Sequence, residues 1–450
     1  MRGMLILAAI VCGLMPSAGR CQSFSDFANF RSMSVGGVHL YGISFYSGYS
    51  TSAYPGGFGQ PVGAAFLGPD VSYGGTATMG WQRRRGRSNF SVTYSLGYGG
   101  LVHYSDANAF SQSISLSLNR QLGSKWTLSL SGNASDSTMA QYLYQPSNLG
   151  VILQMPVTMD DLAAAFSIGQ FSSSEVAAML TGAPMLESPL RPTLLGDRIL
   201  SYSGAASLSY AHSSRLNFYF SGFTAAGQHL AGGDSATTQP YVIPRSMGVN
   251  AGAGFSYMLS PRTDLSVNAG VGRTFSSYQD AYVTTANVSI GRKMGAHWFM
   301  GGHVGGAISK ITSQTYGAPR TNQMVGGGNI GFRTYRHALV GAYERSASGS
   351  FALAVGVNTT ISAGWNWHRP GSQWSVFTSF AEQQFRNNGF ASLSGWEASG
   401  GIAERLNAHS ELTVQYVYLT NTGNFFGNFS NFAVQSIRMA VSWTPTAAMH

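Results

Sequence analysis

Apolar and polar residues alternate one for one through most of this chain. Ile114, Leu116 and Leu118 are interleaved with Ser113, Ser115 and Ser117; after a break at Gly123–Lys125, Trp126, Leu128 and Leu130 are interleaved with Thr127 and Ser129. Period-two alternation on both sides of a short Gly/Ser/Lys break predicts an antiparallel hairpin with one apolar and one hydroxyl-lined face. The same arrangement recurs at Gln82–Phe90, His212–Leu216, Leu259–Leu265, Arg292–Trp298, Tyr335–Leu339, His368–Trp374 and Arg405–Leu412. Longer Gly/Asn/Ser/Thr-rich connections separate these tight turns. Short and long links therefore alternate, as in a barrel with one turn end and one loop end. About eighteen strands are expected, with sixteen the alternative count if the first strand or a weak pair near 338–367 is miscounted. An even number puts both chain ends on the short-turn side.

Alternation also assigns faces. One set contains Ala77/Met79/Trp81, Phe90/Val92/Tyr94/Leu96/Tyr98, Met247/Val249/Phe255/Tyr257 and Val355/Val357/Ile361/Trp365/Trp367. The complementary set contains Gln82, Ser91, Thr93, Asn250, Asn358, Thr360 and Asn366, together with Asn329, Arg333 and Arg438 by strand parity. Eighteen apolar faces with almost no helix to cover them leave two readings, lipid around a barrel or two sheets facing each other. Three features favour lipid. Trp81, Trp126, Trp298, Trp367, Trp374 and Trp443 stand at strand ends beside turns, as an interfacial girdle would. Polar faces carry Ser, Thr, Asn and Gly instead of the Lys and Glu of soluble sheets. Closure also removes edge strands, whose unpaired backbone groups hydrocarbon cannot satisfy.

Composition agrees. Charged residues make up 10% of the 450, against about 25% in soluble proteins, while Gly reaches 57 residues and aromatics 12%. No linker or charge run divides the chain. Arg2, the apolar run Met4–Leu14 and the small residues up to Cys21 read as a secretory signal over 1–21, cleaved after Cys21 or Ala18, with a single barrel domain over 22–450. No segment reaches about 18 uninterrupted apolar residues, which excludes a helical membrane protein. Cleavage after Cys21 removes both cysteines, Cys12 and Cys21, and with them any disulfide or thiolate metal site. It leaves 24 basic against 17 acidic residues. The basic residues sit at tight turns (Arg83, Arg84, Arg85, Arg87; Arg292, Lys293) without the stripe of interleaved aromatics that nucleic acid requires.

The chain thus resembles the outer-membrane β-barrel proteins of diderm bacteria, the porin-like channels most of all. The resemblance is architectural and covers the whole mature chain. It implies outer-membrane lipid and the barrel-assembly machinery as partners, and a homotrimer as an assembly. Such proteins commonly end in an alternating strand closed by an aromatic residue. Ile437, Met439, Val441 and Trp443 supply the alternation, but the tail Thr444–His450 follows.

One insertion breaks the rhythm, the long loop over 136–198. It contains two helix-like pieces, Leu162–Phe166 and Val176–Leu180, each preceded by capping residues, and six acidic residues against two basic ones. By order it is the third long loop. In the trimeric porins that the chain resembles, that loop folds into the lumen. The resemblance therefore implies a constriction in which Asp160, Asp161, Glu175 and Glu187 oppose lumenal Arg333 and Arg438 and screen solutes by charge. A cap outside the barrel or a partner-binding surface is the other reading.

Other chemistry has little support. Gly326–Gly331 matches a dinucleotide fingerprint but lies inside an alternating strand, with no crossover helix after it. The ten His residues are scattered and form no pair at metal-ligand spacing. No catalytic group, metal or cofactor is expected. The expected function is a water-filled channel passing small polar solutes by diffusion, the protein not being an enzyme. The alternatives are a polysaccharide export barrel and a structural or surface-binding barrel with a filled lumen.

Overall fold

In the computed structural model the described residues are 33–35, 38–51, 68–103, 108–138, 198–230, 246–276, 279–313, 320–350, 354–368, 371–387, 391–407, 409–425 and 428–445. They form one antiparallel sheet. Its strands are β1 (Met33–Val35), β2 (Val38–Ser50), β3 (Asp70–Arg85), β4 (Ser88–Leu101), β5 (Ala109–Gln121), β6 (Trp126–Thr138), β7 (Arg198–Ala211), β8 (Leu216–Leu230), β9 (Ser246–Ser260), β10 (Thr263–Ser276), β11 (Gln279–Met294), β12 (Trp298–Ser313), β13 (Arg320–Arg333), β14 (His337–Ser350), β15 (Ala354–His368), β16 (Trp374–Asn387), β17 (Ala391–Arg405), β18 (Ser410–Phe425) and β19 (Asn428–Trp443).

Each strand from β2 to β19 pairs with its sequence neighbours, and β19 pairs back onto β2 from Ser436↔Ser50 to Trp443↔Ile43. The sheet is therefore a closed barrel of eighteen strands, the number expected from the alternation, with the three-residue β1 added beside β2. The weak pair near 338–367 is two full strands, and β14 runs to Ser350. Its end was hidden in the sequence because Arg345, Ser346 and Ser348 carry no apolar signal.

The turn end is built from tight hairpins. Arg85 pairs with Ser88 across Gly86 and Arg87, and Gly86 has φ 56°, a left-handed conformation open to glycine at no steric cost. Side-chain oxygens fix other turns. Thr334 Oγ1 accepts from the backbone N–H of Arg336 (3.2 Å) and His337 (3.0 Å), and Ser213 Oγ accepts from Leu216 N–H (3.1 Å). At the loop end Asp70, its side chain fully buried, accepts from the Val71 and His103 backbone N–H groups and lies 2.8 Å from His103 Nδ1, clamping β3 to β4.

Eighteen strands about 4.8 Å apart and tilted ~40° close into a tube roughly 35 Å across. Side chains from opposite walls cannot meet across that distance. A barrel of this size encloses space.

Candidate functional site

The two faces of the wall differ in chemistry. Outward positions carry Phe45, Leu96, Ile114, Leu116, Phe220, Val249, Val271, Val288, Ile290, Val304, Ile308, Ile330, Ile361 and Ile437, all exposed. Val304, for example, is 51% exposed, and large aliphatic side chains left open in this way all around a closed barrel require a non-aqueous surrounding. The exterior is that of an outer-membrane-type β-barrel.

Inward positions carry hydroxyls and amides that pair from strand to strand. Ser91–Ser117 (2.8 Å), Ser135–Ser201 (2.6 Å), Ser266–Ser289 (3.0 Å) and Ser379–Ser399 (2.6 Å) link their hydroxyls, and Asn268 Nδ2 donates to Asn287 Oδ1 (3.1 Å). Each is a directly opposed cross-strand pair, so register alone brings the partners together.

Inward aromatic side chains use a second device, lying over glycines of the next strand. Tyr46 covers Gly74, Tyr219 covers Gly254 and Phe377 covers Gly401, again as directly opposed pairs. Any side chain at those glycines would occupy the ring's place.

Exposure divides the lumen wall in two. On β11 to β17 many inward side chains are buried, including Ala281 and Phe299 (both 0%), Ser309, Ser362, Ser379, Ala381 and Phe385. On β5 to β8 no described inward side chain is buried, and Ser131, Asn133, Ser207, Ser221 and Phe223 are exposed, as is Asn250 on β9. One side of the lumen is packed and the other is open.

Within the packed side lies an ionisable pair. His303 Nε2 of β12 is 3.2 Å from Glu344 Oε1 of β14, and the two reach each other across β13, where Gly327 stands opposite both. Two residues along β13 is Asn329, 6% exposed, whose amide oxygen and nitrogen have no hydrogen-bonding partner among the described residues. An imidazole, a carboxylate and an unpaired amide thus converge on one patch of lumen wall.

The residues singled out in the sequence take the following places. Asn250, Asn329, Asn358, Arg333 and Arg438 all lie at inward parity, with Gln82, whose amide donates to Asn89 Oδ1 (3.2 Å), at the turn end. Asn358 Oδ1 accepts from Gln383 Nε2 (2.8 Å), and Arg438 lies beside Tyr46. Trp81, Trp126, Trp298, Trp367, Trp374 and Trp443 all lie at outward parity near the turn end, where Trp298 packs on Phe332 and Trp126 on Tyr210, each with ring centroids 4.6 Å apart. Asp160, Asp161, Glu175 and Glu187 lie outside the described residues, as do the two helix-like pieces. Asp136 does not join them. It sits within β6, at outward parity with Leu130 and Ala134, so the insertion's first acid points away from the lumen. Sequence reasoning missed His303 and Glu344, although the alternation around Val304 and Tyr343 gives both an inward parity. Among the described residues no three His, Cys, Asp or Glu side chains cluster as metal ligands would.

No protein-family model and no curated protein sequence matches the chain. Several solved structures have a similar fold at low identity. OccK9 (OpdG) of Pseudomonas aeruginosa is 10% identical with a TM-score of 0.45, over 90% of this chain and 98% of that one. OccK2 (OpdF) of the same species, solved in complex with glucuronate, is 11% identical with a TM-score of 0.44, over 90% and 98%. A BenF-like porin from Pseudomonas fluorescens is 8% identical with a TM-score of 0.45, over 91% and 100%.

Proposed function

We propose that this protein is an outer-membrane channel through which small polar solutes diffuse passively. The supporting observation is the division of the wall: an apolar exterior, and a hydroxyl- and amide-lined interior whose β5–β8 side is open, with Ser131, Asn133, Ser207 and Ser221 exposed inside a tube too wide for its own side chains to fill. Neutral hydrogen-bonding walls favour uncharged or weakly charged solutes.

The packed β11–β17 side supports a narrowed lumen. We propose that the acidic connection between β6 and β7 lies against that side, with Asp160, Asp161, Glu175 and Glu187 facing the open wall and lumenal arginines such as Arg438. The solute then passes between a carboxylate-bearing surface and a wall of hydroxyls and amides, with Arg438 of β19 as a basic group beside it.

Reconstitution in a planar bilayer tests both statements. Discrete conductance steps are expected from the full mature chain, and Asp160→Asn with Asp161→Asn is expected to change step size and lower cation preference. A properly folded barrel that inserts without steps refutes the channel. Steps unaltered by the two substitutions refute the constriction while leaving the channel standing. A homotrimer is proposed as the assembly, to be read from its mass in detergent.

A further inference from the structure

At the loop end the exterior of β10 to β13 departs from the apolar pattern. Register places Arg273 opposite Tyr282, Tyr282 opposite Lys310 and Lys310 opposite Arg320. All four are exposed and at outward parity, so one row across four adjacent strands presents three cations and a phenol to the outside. Its strands are about 4.8 Å apart, so the row spans about 14 Å.

The row's depth can be worked out from β11. Twelve residues separate Tyr282 from Met294, which pairs with Trp298 of the turn-end tryptophans. At about 3.4 Å per residue and a tilt near 40°, that is about 30 Å along the barrel axis. Between the two rows the outward residues are Thr284, Ala286, Val288, Ile290 and Arg292 on β11, and Ile308, Gly306, Val304, Gly302 and Met300 on β12. The basic row therefore lies one hydrocarbon thickness away from the tryptophans, at the level where headgroups of the opposite leaflet sit.

The cations are arranged for an anion outside the protein. Arg273 is neutralised within the wall: its Nε and one terminal nitrogen contact Asp280 at 3.0 and 2.8 Å, and its guanidinium lies over the rings of Phe275 (5.5 Å) and Tyr282 (5.0 Å). Among the described residues Lys310 and Arg320 have no such carboxylate. They stand directly opposite each other as like charges, an arrangement that costs stability in a sheet unless an anion bridges it.

We propose that this row binds the phosphate groups of a phosphorylated outer-leaflet glycolipid, with Lys310 and Arg320 as the phosphate ligands, the Tyr282 hydroxyl as a further donor, and Val271, Ile308 and Met324 below them receiving acyl chains. The lipid is the occupant favoured over a soluble anion because the row faces outward at the belt edge and continues into exposed apolar side chains. The inference rests on the outer-membrane barrel reading.

Its test uses the full mature chain refolded in non-ionic detergent and titrated with bisphosphorylated lipid A, with the same lipid after phosphate removal, and with inorganic phosphate alone, binding being read by native mass spectrometry. Preference for the phosphorylated lipid is expected, weakening as salt rises. Lys310→Gln with Arg320→Gln is expected to lower that affinity about tenfold or more, while Arg292→Gln, outward at the turn end, leaves it unchanged. Equal binding of the two lipids, an unaltered double variant, or inorganic phosphate binding as tightly as the lipid overturns the proposal. Bilayer conductance of the double variant separates the readings: steps retained with lipid preference lost supports it, and steps retained with no lipid preference in the native chain sinks this inference alone.

Discussion

Two adjacent glycines on β17 should respond oppositely to the same substitution. Gly401 faces the lumen directly opposite Phe377, and a Cβ built on it would lie 2.5 Å from Phe377 Cζ and 2.6 Å from the Val414 carbonyl oxygen. Ordinary contacts of this kind are about 3.4–4 Å, so an alanine must push the ring about 1 Å on one side, while on the other it meets the backbone of β18. Phe377 is 6% exposed and has little room to move. The cost should fall at the upper end of the roughly 1–3 kcal/mol typical of overpacking. Gly400, one residue earlier, faces outward, and its nearest atoms are the Phe377 carbonyl oxygen at 3.8 Å and Thr378 Oγ1 at 4.0 Å. Alanine fits there and restricts the unfolded chain, a gain of about 0.4–1 kcal/mol. Gly401→Ala and Gly400→Ala should therefore differ by about 2–4 kcal/mol. The assay is urea unfolding of refolded protein followed by tryptophan fluorescence, with the slope checked for constancy. Equal midpoints for the two variants would refute the claim that the ring occupies the place of the glycine side chain. Phe377→Ala added to Gly401→Ala should recover part of the loss.

Other substitutions probe the remaining assignments. Val304 lies midway between the Tyr282 and Met294 rows and faces out, so Val304→Arg should cost about 2–4 kcal/mol in the same unfolding assay, whereas Ser207→Arg on the open lumen wall should cost little and lower conductance. Asp70→Asn removes the charge from the clamp on His103 and should raise hydrogen exchange at the His103 amide by about tenfold or more, the equivalent of ~1.5–3 kcal/mol of local stability, while the turn end stays protected. Glu344→Gln should shift the reversal potential in a KCl gradient toward chloride, and no shift would place Glu344 outside the permeation path.

Much of the barrel was legible because the decisive quantity, which face a residue takes, has a period of two and survives uncertain strand ends. The assignments of Phe90 to Tyr98 and of Met247 to Tyr257 needed only alternation. What failed to show was anything set by register between strands. His303 and Glu344 lie on different strands and meet only because both pair with Gly327, and no feature of either neighbourhood marks the encounter. The glycine under Phe377 is equally silent, since Gly401 reads as one of several glycines in β17. Asp136 was grouped with the long insertion because it is acidic and follows the apolar run, yet the ladder continues through Thr138 and carries it to the outside.

Register also separates the two tasks of the wall. In the proposed channel outward residues fix the depth of the barrel in lipid and inward residues fix what can pass, so a substitution at one parity should leave the other property almost unchanged. The glycines beneath rings limit that independence. A side chain added at Gly74, Gly254 or Gly401 would move Tyr46, Tyr219 or Phe377 and the backbone pairing with it, altering both faces at once. The same reasoning explains where variation is tolerated. Ser131, Ser207 and Ser221 are open to the lumen, so the open wall can change its chemistry without repacking, whereas the side bearing Phe299 and Phe385 cannot. If the proposed channel holds, selectivity is adjustable on β5 to β8, and the packed half supplies the rigid surface against which that adjustment works.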